Sequence, residues 1–123
     1  MRYMMLIYSR EGQLTSDQER EIALRHRAVM NDAKERGIFQ GAEPLMPTTT
    51  AMTVRINGDG KTLTTDGPFT ETKEQLAGYY ILDCASVDEA IEWASRIPTG
   101  CLGGDGCVEI RPIRTMTIAM PLV

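Results

Sequence analysis

An α+β fold is predicted for this 123-residue chain by three observations. Residues 3–8 and 78–84 are apolar on both alternating faces, two Gly- and Pro-free stretches open on helix-capping patterns, and turn residues separate further strand-like runs. Hydrophobic residues make up 42% and charged residues 24% of the chain. That globular balance excludes a disordered chain, a collagen and a coiled coil, and the length predicts one domain over residues 1–123 around a single core.

In Tyr3 to Tyr8 the faces Tyr3/Met5/Ile7 and Met4/Leu6/Tyr8 are both apolar, which predicts a central strand buried on both sides. Thr15 with Gln18, or Ser16 with Glu19, forms a capping box, and a helix from Ser16 to Arg36 follows with Gly37 as its stop. Its apolar stripe is Ile22, Ala23, Val29, Met30 and Ala33. Ile38 to Met46, bounded by Pro44 and Pro47, predicts an edge strand because proline cannot donate to a ladder. Met52, Val54 and Ile56 alternate with Thr53 and Arg55 as a half-buried strand does. Asn57-Gly58-Asp59-Gly60 predicts a hairpin turn, Lys61 to Thr65 the return strand, and Asp66-Gly67-Pro68 a break into a loop reaching about Ala77. Gly78 to Cys84 is the second doubly apolar strand, expected beside the first. The Ser86-Glu89 capping box opens a short helix that Pro98 ends. A glycine-rich loop from Thr99 to Gly106, a strand from Cys107 to Ile113 and an extended arm over Met116, Ile118, Met120 and Leu122 complete the chain.

Strand, helix, strand, hairpin, strand, helix, strand is the order of a ferredoxin-like βαββαβ sheet carrying an inserted β-hairpin. Two helices cover one sheet face. The apolar opposite face then needs a second subunit or the chain's own arm, which predicts a homodimer with ligand pockets between or beside the sheets.

Seventeen acidic residues against 13 basic ones give a net charge of −4, which leaves no basic surplus for nucleic acid. No apolar run approaches the ~20 residues of a membrane span, and the first residues lack a signal-peptide pattern, so a cytoplasmic location is expected. Cys84, Cys101 and Cys107 with a single histidine form no CxxC pair or zinc set. Neither an obligatory metal nor a cofactor is expected.

The segment Asp66-Gly67-Pro68-Phe69-Thr70-Glu71-Thr72-Lys73-Glu74, followed by Gln75-Leu76-Ala77-Gly78-Tyr79-Tyr80, resembles the signature of DGPF-type proteins of the YCII-related family, with Thr70 at the usual alanine. The likeness extends from Tyr3–Tyr8 through Ala90–Ala94 and Ile97-Pro98 to Val108–Pro112. It implies a dimeric α/β barrel of ferredoxin-like protomers. Some such proteins are linked to extracytoplasmic-function sigma factors, and a related branch includes a dehydrochlorinase. In that branch a histidine on the first helix pairs with an aspartate just before a proline after the second helix. His26 fills the first position, whereas Ile97 stands at the second, so the carboxylate is missing.

His26 lies within the first helix's apolar stripe and is the only side chain whose unperturbed pKa is near neutrality. It reads either as a general acid or base in a pocket or as a histidine satisfied by one structural bond. Asp66 is the first candidate to orient it, against an Asx-turn within the Gly67-Pro68 corner. Arg25 could hold an anionic substrate, although successive helix positions point about 100° apart, so Arg25 and Arg27 cannot both face one pocket. Phe69, Glu71 and Tyr79 complete the expected binding set. Tyr79 and Tyr80 face opposite ways, and one of them could donate its hydroxyl into a cavity. The glycines of 99–106 precede a strand and carry no GKS or GKT, so they make a weak anion loop.

The leading expectation is a homodimer binding a small polar or aromatic ligand, acting if catalytic as a cofactor-independent lyase or isomerase through His26. The alternative is a non-enzymatic sensor or interaction module associated with sigma-factor regulation.

Overall fold

A computed structural model of the chain describes residues 1–99 and 106–116. It is a mixed α+β fold: strands β1 (Arg2–Ser9), β2 (Phe39–Pro44), β5 (Gln75–Asp83) and β6 (Cys107–Pro112) form one antiparallel sheet in the order β2-β5-β1-β6. Strands β3 (Met52–Ile56) and β4 (Thr62–Asp66) form a separate two-stranded sheet. Helices α1 (Ser16–Glu35) and α2 (Val87–Arg96) pack against the larger sheet, an arrangement consistent with a ferredoxin-like fold carrying an inserted hairpin. The two doubly apolar segments are the adjacent central strands, and the Pro-bounded segment is the edge strand β2.

Of the two possible boxes before α1, Thr15 with Gln18 forms: Thr15 Oγ1 accepts from the Gln18 amide at 3.2 Å, and Gln18 Oε1 from the Thr15 amide at 2.9 Å. Arg36 caps the other end, and Gly37 follows with a φ of 73°, a left-handed conformation that a Cβ disfavours. On α2, Ser86 Oγ accepts from the Glu89 amide at 3.2 Å and Glu89 reaches back to the Ala85 amide at 3.0 Å.

The core lies between the helices and one sheet face. Met5 and Ile7 of β1, Tyr80 and Leu82 of β5, Val29 and Ala33 of α1, and Ala90 and Trp93 of α2 are buried there. Each large apolar side chain so buried contributes about 1.5–3 kcal/mol against exposure. Asp32 joins the helices, meeting Arg96 Nη1 at 2.7 Å and Arg36 Nε at 3.3 Å, while both arginines lie over the Trp93 ring. The Arg96 guanidinium holds the Asp32 carboxyl below the usual carboxylate range. On the opposite sheet face Met4, Leu6, Tyr79 and Ile81 are neighbours in register and only half-buried.

Two of the boundaries that differ from the sequence reading bear on the site. Asp66 is the last residue of β4, paired with Met52, instead of the first residue of the loop. Its side of the hairpin continues one rung further because the turn sits at Asn57–Lys61, where Asn57 N meets Lys61 O at 2.7 Å. Strand β5 starts at Gln75, ahead of Gly78, because Gln75 and Leu76 pair with Ser9 and Tyr8. Register slips between Ile7, paired with Gly78, and Tyr8, paired with Leu76, which leaves Ala77 as the extra residue of a β-bulge. The Ala77 carbonyl accepts instead from the Leu45 amide at 2.8 Å. Glycine thus marks a bulge here and not a strand start. The glycine-rich loop lies outside the described residues save for its two ends, Thr99 and Gly106, and so does the arm beyond Met116.

Among the described residues no helix is long and apolar enough to cross a membrane.

Candidate functional site

A cavity of about 340 Å³ opens between α1 and the sheet. From α1 it receives Ile22, Ala23, His26 and Met30, the exposed-to-half-buried half of the stripe that goes on to bury Val29 and Ala33 in the core. Ile7 and Ser9 of β1, and Ala42 and Glu43 of β2, form the opposite wall. Ala77, Tyr79 and Tyr80 enter from the bulged end of β5, and Thr99 from beyond α2. The lining is mostly apolar, and its size falls within the usual range for small-molecule pockets.

Gly78 lies on this face, buried, opposite Ile7. A Cβ there would come within 2.7 Å of the Glu43 carbonyl oxygen and 3.2 Å of Pro44 Cα. Only a residue without a side chain lets β2 approach so closely, and the bulge beside it brings Ala77 into the cavity wall.

The chemistry centres on two side chains. His26 Nδ1 and Tyr80 Oη are 2.7 Å apart, and the same hydroxyl lies 3.4 Å from the His26 carbonyl oxygen. Two proton arrangements satisfy these distances. Tyr80 can donate to Nδ1, which leaves the proton of the ring on Nε2. Alternatively, Nδ1–H donates to Oη, the hydroxyl donates to the His26 carbonyl, and Nε2 carries a lone pair. Nε2 has no hydrogen-bond partner among the described residues. Burial pulls the His26 pKa below its ordinary 6.5 and pushes Tyr80 up to about 12. Both groups are therefore neutral at neutral pH, the state in which an imidazole accepts a proton.

The structure brings together some of the residues singled out from sequence and separates others. His26 lines the cavity, and Tyr79 borders it from β5 while sharing the opposite sheet face with Met4, Leu6 and Ile81. Asp66 does not line it: it is exposed at the end of the hairpin and makes no contact with His26, whose partner is Tyr80. Arg25 is exposed on the outer side of α1 and bonds Glu21 Oε1 at 2.7 Å. Phe69 is 74% exposed beneath the Arg55 guanidinium, 5.2 Å from its ring centre, and Glu71 is exposed on the same loop. Ile97 is packed in the core at 5% exposure, so no acid reaches the cavity from that position. Sequence reasoning missed Tyr80 as the partner of His26. The available signal was its alternation with Leu82 and Cys84: a tyrosine on a buried face needs a partner for its hydroxyl.

Among the described residues no group of three His, Cys, Asp or Glu is placed to hold a metal ion. Cys84 is buried and Cys107 exposed, both as free thiols, and burial raises the pKa of each.

Comparison with known proteins places these features in context. The YCII-related domain family matches residues 1–117. An uncharacterised protein of Rhizobium meliloti (strain 1021) is 40% identical over 116 residues, which cover 92% of each chain.

Proposed function

The chain belongs to the YCII-related family, and from that premise we propose that it binds a small, mostly apolar molecule in the α1–sheet cavity and moves a proton with His26. The observation that carries this reading is the 2.7 Å contact between His26 Nδ1 and Tyr80 Oη inside that cavity. In the arrangement with Nε2 unprotonated, Nε2 takes a proton from a C–H bond of the ligand. The imidazolium formed keeps its Nδ1–H on Tyr80 Oη, and that hydroxyl donates to the His26 carbonyl. Returning the proton to another ligand atom completes an isomerisation, and expelling a leaving group with the freed electron pair completes a lyase step. Tyr80 orients the imidazole, the role the sequence alone suggested for Asp66.

His26 is the only histidine, so a nitrogen-detected NMR titration reads the pair directly. Its midpoint is expected below 6.5, because burial disfavours the imidazolium. Tyr80→Phe is expected to shift the balance between the Nδ1–H and Nε2–H forms while core amide resonances stay in place. A midpoint at the ordinary value, with a tautomer balance indifferent to Tyr80→Phe, would remove the pair as a proton-handling unit.

The same proposal includes a homodimer that closes an α/β barrel. It is supported by Met4, Leu6, Tyr79 and Ile81, which share the sheet face that no helix covers, and by exposed Met52, Val54 and Ile56 on the hairpin. Light scattering is expected to return twice the chain mass for the native protein. Ile81→Glu should yield a monomer with unchanged circular dichroism, since it places a charge where the two sheets would meet. A native monomer at every concentration sinks the dimer and leaves the apolar hairpin row to a different protein, as in the sigma-factor alternative.

A further inference from the structure

We infer that the His26 cavity is selective by charge: it takes uncharged ligands about the size of a substituted single ring or a fused bicycle, and rejects anions. The inference rests on the cavity being a binding site and names the class of molecule that fits it.

Size comes first. A cavity of about 340 Å³ is roughly twice the ~150 Å³ that holds a benzene ring in an apolar protein interior. Charge decides more. The one charged side chain in the described lining is Glu43, an acid. The arginines flanking His26 on α1 are exposed, and the Arg25 guanidinium is held by Glu21 at 2.7 Å. Neighbouring helix positions point about 100° apart, so neither joins His26 in the cavity. Residues 100–105 and 117–123 contain no Lys, Arg or His, so those segments have no cation to offer. The α1 N-terminus is occupied by its own Thr15–Gln18 box. His26 itself is held in its neutral form by burial.

A carboxylate entering this space would lose its hydration and find no cation among the described lining residues, a cost that an uncharged ligand of equal shape avoids. The chain's net charge of −4 adds a repulsive field at longer range. An amide or hydroxyl, in contrast, can bond Nε2 in either proton arrangement of the His26–Tyr80 pair, as donor or as acceptor.

The test uses benzamide and benzoate, which share a planar shape and differ by one charge. Each is titrated at neutral pH into the native chain and into Ala23→Arg, with the His26 ring resonances as readout. Ala23 is an exposed helical residue at the cavity lining, so arginine is tolerated there and introduces the missing cation. Benzamide is expected to shift the His26 signals saturably and to bind the native chain at least about tenfold more tightly than benzoate. Ala23→Arg is expected to narrow or reverse that ratio. Benzoate binding as tightly as benzamide would overturn the charge selectivity and leave the cavity a binding site. An unchanged ratio in Ala23→Arg would overturn its assignment to the missing cation. If neither compound moves the His26 signals up to its solubility limit, the binding-site reading fails, and this inference with it.

Discussion

The native chain is expected to accelerate the ring opening of a nitrobenzisoxazole, and His26→Ala to lose about 10²-fold of that rate, within the range a positioned general base supplies. The probe is uncharged, bicyclic and needs a single event: Nε2 takes the isoxazole C–H proton, the N–O bond breaks, and the electron pair leaves on the phenolate oxygen. The coloured cyanonitrophenolate reports the rate without knowledge of the natural substrate. The pH profile carries a second signature. The reactive form of His26 is neutral, and burial lowers its pKa. The rate should therefore be full above 6.5 and fall only as pH drops through the lowered value. Tyr80 stays protonated throughout, since burial holds it at about 12. A rate that His26→Ala leaves intact would assign the chemistry elsewhere.

Gly78→Ala is expected to destabilise the fold by about 1–3 kcal/mol, the usual cost of forcing a methyl into filled space. Its Cβ would meet the Glu43 carbonyl oxygen at 2.7 Å and Pro44 Cα at 3.2 Å. Both are backbone atoms of the neighbouring strand, so no rotamer change relieves the contact. Glu43 and Pro44 also line the cavity, so ligand binding should weaken along with stability. Urea denaturation measures the first effect, and Gly41→Ala is the control. A Cβ at Gly41 has nothing within 4 Å, and that variant should stay within about 0.5 kcal/mol of the native chain. Equal stability of the two variants would contradict the pairing of Gly78 with Pro44.

Periodicity made the architecture legible because it reports burial, and burial orders strands. Tyr3 to Tyr8 and Gly78 to Cys84 read as doubly apolar and became the central pair. Pro44 and Pro47 marked an edge, and β2 is one. The bulge was not legible: Ala77-Gly78 looks like a strand start because a glycine at a turn and a glycine under a neighbouring backbone have the same local sequence. The site was half legible. His26 sits in the stripe facing the sheet, as its spacing from Ile22 and Met30 requires. Its partner was not, because hydrogen bonding between positions 26 and 80 depends on helix placement over the sheet, and local pattern carries no information on that. Asp66 drew attention as the head of a motif, yet its place on the hairpin keeps it from the cavity.

The hairpin itself shares no rung with the main sheet, and no residue between Glu43 and Tyr79 belongs to the core or its packed margin. Its tie to the body includes a pair of bonds that the Thr48 amide and hydroxyl donate to the Glu11 carboxylate, at 2.7 and 2.8 Å. Changes of length or composition in β3 and β4 therefore leave the folding free energy of the body nearly untouched. Selection is free to rewrite this appendage for new contacts while the histidine chamber is inherited whole, so specificity toward partners and chemistry toward small molecules can diverge on separate clocks within one short chain.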